Sequence, residues 1–393
     1  MADVNDEPRD SVLLNRSFGS DPRRAAELVA AHVRGHSHEG LLSCAKHLPG
    51  RGSTTVDPHT GLPDLPHDRA RLERVELVPF RAVAAGVPAV MAARVVMKAI
   101  DAGRPATLSA RALDGLLRRD LGFDGLVVRR PRDGRAEGVR PVPGVAVRAI
   151  AAGADHALFR SDEEAQTAGH RALVDAFAAG TIPMARLERP ARRVLEAKAR
   201  QGGGPAEPKP VGYGAAANAA VAADLAREAI TVLRNQGVLP LRGPILAVAV
   251  DSPDVTLIPD TLTIADALRE RGASVTRMTS PKQPSSSQVA AGVAAARNAD
   301  VVVVTTADLQ RYPQQAELAR APAGAKPTAT VSLRSPYDAL AVPTIPAYVC
   351  SYHGRSSAVN AAADVLLGKV APQGRLPVEI PGLFPIISGM TSL

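Results

Sequence analysis

Lys46-His47-Leu48-Pro49-Gly50-Arg51-Gly52-Ser53-Thr54-Thr55-Val56-Asp57-Pro58-His59 follows a short apolar run, Leu41–Ala45, that reads as a β-strand. A lysine–histidine pair therefore stands where that strand ends. The glycine-rich loop beyond it carries a carboxylate and an imidazole two residues apart, Asp57 and His59. At this spacing the acid can hydrogen-bond the ring, fix its tautomer and raise its pKa, which is one way to build a general acid/base. The same residues are also compatible with a surface loop bearing a solvated histidine.

Working outward, residues 22–36 read as a helix, with Pro22 at a favoured first-turn position and Ala25, Leu28, Val29 and Val33 at helical spacing. A helix over about 67–85 precedes the strand Ala89–Ala92, and Leu108–Leu121 is helical with Ser109 as its N-cap. Gly125–Val128 reads as a buried strand. Val145–Ala152 (helix), Gly153–Phe159 (strand) and a long helical stretch to Lys198 complete the series. Short apolar strands alternating with amphipathic helices specify a parallel α/β architecture. Polar residues directly after the strands suggest chemistry at strand carboxyl ends, as in a (β/α)8 barrel of TIM type.

Gln201-Gly202-Gly203-Gly204-Pro205-Ala206-Glu207-Pro208-Lys209-Pro210 is the clearest linker in the chain. The expected division is a barrel domain over 1–200, a linker over 201–212 and a second α/β domain over 213–393. In the second domain Asn218–Asn235 reads as a helix whose apolar face includes Val221, Leu225, Ile230 and Leu233. Ile245–Val250, Val301–Thr305 and Thr330–Leu333 have the unbroken apolar or β-branched character of buried parallel strands.

Composition narrows the function classes. With 393 residues, 46% of them hydrophobic and 22% charged, the chain can bury a sizeable core, which excludes wholesale disorder or a disulfide-held mini-protein. Two cysteines, Cys44 and Cys350, cannot form a structural zinc site by themselves. The net charge of +8 invites a nucleic-acid reading, but only seven of the 47 basic residues are lysines and the arginines are scattered. An aromatic fraction of 3% is also thin for a stacking platform, so no nucleic-acid partner is expected. The first residues lack the basic and apolar regions of a signal peptide, and no apolar run reaches the ~18 residues of a membrane span. A cytoplasmic location without membrane association is the expectation.

The Lys46–His59 stretch resembles the signature K-H-F-P-G-H-G-D-T-x-x-D-S-H of family 3 glycoside hydrolases, in their β-N-acetylhexosaminidase branch. Other segments match in order. Arg16-Ser17-Phe18-Gly19-Ser20-Asp21-Pro22 is similar to R-S-F-G-x-D-P, and Met1-Ala2-Asp3-Val4-Asn5 to P-V-A-D-V-N. Leu77-Val78-Pro79-Phe80-Arg81, Leu121-Gly122-Phe123-Asp124-Gly125 and Ala151-Ala152-Gly153-Ala154-Asp155 match scaffold motifs of the barrel. Val331–Asp338 and Gly374-Arg375-Leu376-Pro377-Val378 resemble the family's C-terminal α/β sandwich domain.

The resemblance implies hydrolysis, with retention, of terminal non-reducing β-linked N-acetylglucosamine, for example in peptidoglycan fragments. It assigns Arg16, Lys46 and His47 to the sugar hydroxyls, and Asp57 and His59 to the acid/base dyad, with Pro58 in place of Ser. It implies no metal or organic cofactor. The expected partner is a saccharide containing N-acetylglucosamine.

Several positions depart from the pattern. The family nucleophile is an aspartate directly after the strand at 125–128, and Arg130 occupies that position. A guanidinium cannot attack an anomeric carbon, and it places positive charge where an oxocarbenium-like transition state develops. Asp133, three positions on, is the one substitute candidate. Arg51 replaces the His of G-H-G, Ser53 the Asp of G-D-T, and Arg94 the His after V-M-x-A. These substitutions are equally compatible with ordinary solvated, arginine-rich loops. The alternative function is a catalytically inactive homologue that binds sugar or a protein partner. The family also has a substantial stretch before R-S-F-G, so the expected fold is an incomplete barrel lacking roughly three of its eight strands, with a truncated or misassigned start.

Overall fold

The computed structural model describes residues 1–9, 13–57, 61–129, 142–159, 163–201, 216–250 and 262–393. The chain forms two compact units, Met1–Lys209 and Pro210–Leu393. The expected linker falls largely on 202–215, outside the described residues.

In the first unit, helix α1 (Pro22–His38) starts where the sequence places it, because the Asp21 carboxylate accepts from the backbone N–H groups of Arg23 and Arg24. Four parallel strands follow: β1 (Cys44–Leu48), β2 (Ala89–Ala92), β3 (Leu126–Arg129) and β4 (His156–Ala157). Their order in the sheet is their order in the chain, the sequential winding of an α/β barrel-like domain. Helices α2 (Arg69–Arg74) and α3 (Val78–Val83) replace the single helix read over 67–85. The break is physical: Pro79 cannot donate the intrahelical bond that would continue α2, and it suits the first turn of a new helix. The Ser109 hydroxyl accepts from Ala112 N–H as expected, but helix α4 (Arg111–Asp120) is wide, and its end closes with Leu121 N–H donating five residues back to Leu116.

The unit 1 core joins Leu48, Phe80, Val83, Val90, Leu113, Leu117, Phe123 and Val127 under α3 and α4. Asp155 ties the sheet to its helices. Its carboxylate accepts from Val127 N–H at 2.8 Å and pairs with Arg118 at 2.5 Å and Arg193 at 3.1 Å. Arg193 lies on α7 (Ala185–Arg200); α5 (Val142–Ala151) and α6 (Glu163–Ala178) precede it.

The second unit is an α/β sandwich around a six-stranded sheet. Its strands are β5 (Thr231–Asn235), β6 (Ile245–Val250), β7 (Val275–Ser280), β8 (Val301–Thr306), β9 (Thr328–Ser332) and β10 (Ala347–Cys350). The order is β5-β10-β9-β8-β6-β7, parallel except that β5 runs antiparallel to β10. Val301 and Val303 enter one core cluster while Val302 and Val304 enter the other, so both faces of β8 are covered. That explains its continuous apolar sequence.

The helix read over Asn218–Asn235 is corrected here. Helix α8 (Ala216–Ala229) ends well short of Asn235, and β5 follows it. Ile230 and Val232 are buried, whereas Val221 and Leu225 on α8 are 58% and 63% exposed and form no buried face. The β-branched Thr231-Val232 pair sits on an edge strand, where such side chains pack well. Helix α9 (Ile264–Glu270) begins with a capping box in which the Thr263 hydroxyl accepts from Asp266 N–H and the Asp266 carboxylate accepts from Thr263 N–H. Thr263→Ala is expected to cost about 1 kcal/mol, read as a lowered urea midpoint at unchanged slope. No described helix is long and apolar enough to cross a membrane.

Candidate functional site

The expected strand at 41–45 is shifted. β1 covers Cys44–Leu48, so Lys46 and His47 lie within the strand rather than after it. Lys46 pairs with Met91 and Leu48 with Ala92, which leaves His47 as the extra residue of a bulge. A bulge re-aims side chains, and here it lets consecutive polar residues occupy the carboxyl end of a strand whose Ala45 and Leu48 are buried.

The N-terminal segment holds this end in place. Ala2 N–H donates to the Lys46 carbonyl at 2.7 Å, and Asp3, 1% exposed, sits beneath the loop. One Asp3 oxygen accepts from His47 N–H at 3.1 Å and lies 3.0 Å from His47 Nδ1, while the other accepts from Arg51 N–H at 3.1 Å. Burial alone would raise the Asp3 pKa, but the His47 ring and the Arg51 guanidinium more than offset it and hold the carboxyl below its ordinary range. His47 is pushed down, first by burial and then by Arg51 and Lys46, against the pull of Asp3. The hydrogen bond between Nδ1 and the Asp3 carboxylate orients the ring and leaves Nε2 as the nitrogen not bonded to Asp3. A half-buried ammonium at Lys46 and this oriented ring can receive and donate hydrogen bonds to a polyhydroxy ligand.

Arg16 is exposed at the end of a short turn, next to Ser17, whose hydroxyl donates to the Asp3 carbonyl at 2.8 Å. The Asp3 segment therefore brings Arg16, Lys46 and His47 to one region. Asp57 is half-buried at the far end of the loop, where its carbonyl accepts from Gly61 N–H at 2.9 Å. His59, Arg130 and Asp133 lie outside the described residues, so the dyad and the nucleophile position have no geometry here.

The reading of solvated arginine loops is corrected at Arg51, which is 3% exposed; Arg129, the last residue of β3, is also fully buried. Arg94, two residues beyond β2, is half-buried. Arg51 Nε stands 3.4 Å from His47 Nδ1, and its Nη1 is buried with no hydrogen-bond partner among the described residues. Arg129 instead reaches toward the helix layer, with Nη1 3.5 Å from the Val145 carbonyl of α5.

Ser53 has a partner that sequence reasoning missed. Glu76, 1% exposed, accepts from the Ser53 hydroxyl at 3.4 Å and from Arg71 Nε at 3.1 Å. Asp3 was equally missed; its only sequence signal was its place in the Met1–Asn5 motif. Among the described residues no group of three or more His, Cys, Asp or Glu could hold a metal ion.

Comparison with known proteins decides the family. Residues 1–197 match the model of the glycosyl hydrolase family 3 N-terminal domain, and residues 230–383 match its C-terminal domain. The chain belongs to glycosyl hydrolase family 3. A solved family 3 β-N-acetylglucosaminidase from Paenibacillus sp. str. FPU-7 superposes with a TM-score of 0.90 at 34% identity, over 96% of this chain and 75% of that one. Beta-hexosaminidase A of Pseudoalteromonas piscicida is 30% identical over 64% of this chain and 46% of its own length. The beta-hexosaminidase of Pseudomonas aeruginosa is 34% identical over 47% of this chain and 54% of its own. The chain thus spans about half the length of these curated relatives.

Proposed function

We propose that the first unit binds the terminal non-reducing sugar of a β-linked, N-acetylglucosamine-containing saccharide, as a β-N-acetylhexosaminidase of family 3 does. Arg16, Lys46 and His47 take the sugar hydroxyls, and Asp57 and His59 form the acid/base dyad. The observation that carries this reading is the buried Asp3 carboxylate fixing His47 beside Lys46 at the carboxyl end of β1, in a chain similar to proteins named for that activity.

Retaining hydrolysis also needs a nucleophile, and Arg130 stands at its position. Turnover is therefore impaired, with Asp133 as the only substitute candidate. Arg130 also favours a second reading, an inactive homologue that keeps sugar or protein binding.

Calorimetric titration with N-acetylglucosamine and release of p-nitrophenol from its β-glycoside separate these readings. Binding that weakens roughly tenfold in His47→Ala, with turnover restored in Arg130→Asp, is the expected result. Turnover in the unaltered chain that disappears in both His59→Ala and Asp133→Asn would establish the displaced nucleophile. If neither binding nor turnover occurs in any variant, the saccharide reading fails.

A further inference from the structure

Nδ1 of His47 has two claimants. Asp3 Oδ2 lies 3.0 Å from it and Arg51 Nε 3.4 Å. A carboxylate accepts and a guanidinium donates, so one ring nitrogen cannot serve both at once. The shorter, charge-assisted contact draws the proton to Nδ1. Arg51 then acts on the ring as a neighbouring charge rather than as a hydrogen-bond partner.

That charge is built into the loop. Arg51 is 3% exposed, its backbone N–H donates to the second Asp3 oxygen at 3.1 Å, and its Nη1 is buried with no partner among the described residues. A guanidinium does not shed its proton on burial, whereas the histidine that the family pattern has at this position could. Three charged groups face the His47 ring: Asp3 from the N-terminal segment, Lys46 on β1 and Arg51 on the loop after it. With a neutral ring the cluster holds two cations against one carboxylate. Protonating the ring would make three, around a carboxylate that is itself 1% exposed, where water screens little. Among the described residues no second carboxylate bonds to His47 or Arg51.

We propose that Arg51 is a positioning residue for His47: its fixed charge keeps the ring neutral with the proton on Nδ1, which leaves Nε2 as an acceptor for a ligand hydroxyl. That the hydroxyl belongs to a sugar rests on the saccharide reading above; the state of the ring does not.

Ring 15N spectra of the whole chain, labelled at histidine and recorded from pH 5 to 8, test this without any ligand. The His47 signals are assigned by their loss in His47→Gln. At pH 6 the unaltered chain is expected to show a neutral His47 ring with Nδ1 protonated, where an ordinary histidine, and still more one paired with a carboxylate, is largely charged. Arg51→Gln is expected to raise the ratio of charged to neutral ring about tenfold at a given pH. Arg51→Lys restores a cation and is expected to bring that ratio back to within about threefold of the parent. If the ring behaves in this way but N-acetylglucosamine does not bind, the saccharide reading falls and the role of Arg51 stands. A charged His47 ring in the parent at pH 6, a proton on Nε2 in place of Nδ1, or an Arg51→Gln ratio equal to the parent's overturns the proposal. The first two are read on the unaltered chain and so decide the matter even if neither Arg51 variant folds.

Discussion

Gly52→Ala is expected to destabilise the first unit by about 2–4 kcal/mol and to abolish the sugar binding proposed for it. A Cβ at this position would lie 1.6 Å from the Val4 carbonyl oxygen, 2.4 Å from its carbon and 3.0 Å from Asn5 Cα. All three are backbone atoms, so no side-chain rotation relieves the overlap. Val4 and Asn5 are 1% and 3% exposed, so the segment has little room to retreat. If it does move, Asp3 moves with it. The carboxylate that accepts from His47 N–H and Arg51 N–H then leaves its partners unpaired in a buried place, which adds the desolvation cost of those groups to the steric one. Gly86 is the control, since a Cβ there meets nothing within 4 Å; Gly86→Ala is expected within about 0.5 kcal/mol of the parent. Urea unfolding of the two variants side by side checks this. A Gly52→Ala midpoint equal to that of Gly86→Ala would mean that the N-terminal segment does not brace the loop.

This contact also marks where the sequence stops being legible. Strands such as Val301–Thr306 can be read directly because both faces are buried and every residue is apolar or β-branched. Helix α1 can be read because Asp21 and Pro22 supply a cap and a preset first turn. β5 was hidden because Ile230 and Leu233 happen to fall at helical spacing, continuing a helix that ends at Ala229. β1 was placed too early because Lys46 and His47 are polar. A strand end that faces a site is where the apolar rule gives way.

The family motif located Lys46 and His47, but nothing local could pair His47 with an acid 44 positions away. Arg51 and Arg129 were obscured by composition. In a chain with this many scattered arginines, burial of two cannot be read from residue type, because it depends on contacts with Asp3 and with the carbonyl of Val145.

Asp338→Asn is expected to stabilise the second unit by up to roughly 4 kcal/mol at pH 8 and by little at pH 4. Burial pushes the Asp338 carboxyl up to about 7, and the neighbouring Asp308 adds to this, while hydrogen bonds from Leu309 N–H and the Thr306 hydroxyl and the charge of Arg334 oppose it. The sign follows from where the proton sits. Below the ordinary value of 3.8 both folded and unfolded chains hold it and the residue contributes nothing. As pH rises from there to about 7, the unfolded chain releases the proton and the folded chain keeps it. Folding stability therefore falls by about 1.4 kcal/mol per pH unit over roughly three units, then levels off. Asparagine does not titrate, and its amide can still accept from Leu309 N–H and donate to the Thr306 hydroxyl. Tyr348 and Cys350 also face this cluster, but burial pushes both thiol and phenol further up, so they stay neutral across the range. Urea unfolding of parent and variant at pH 4, 6 and 8 measures the difference, which should widen with pH. A constant difference would mean that the Asp338 carboxyl ionises in the folded chain as readily as in the unfolded one, with Leu309 N–H and the Thr306 hydroxyl offsetting its burial in full.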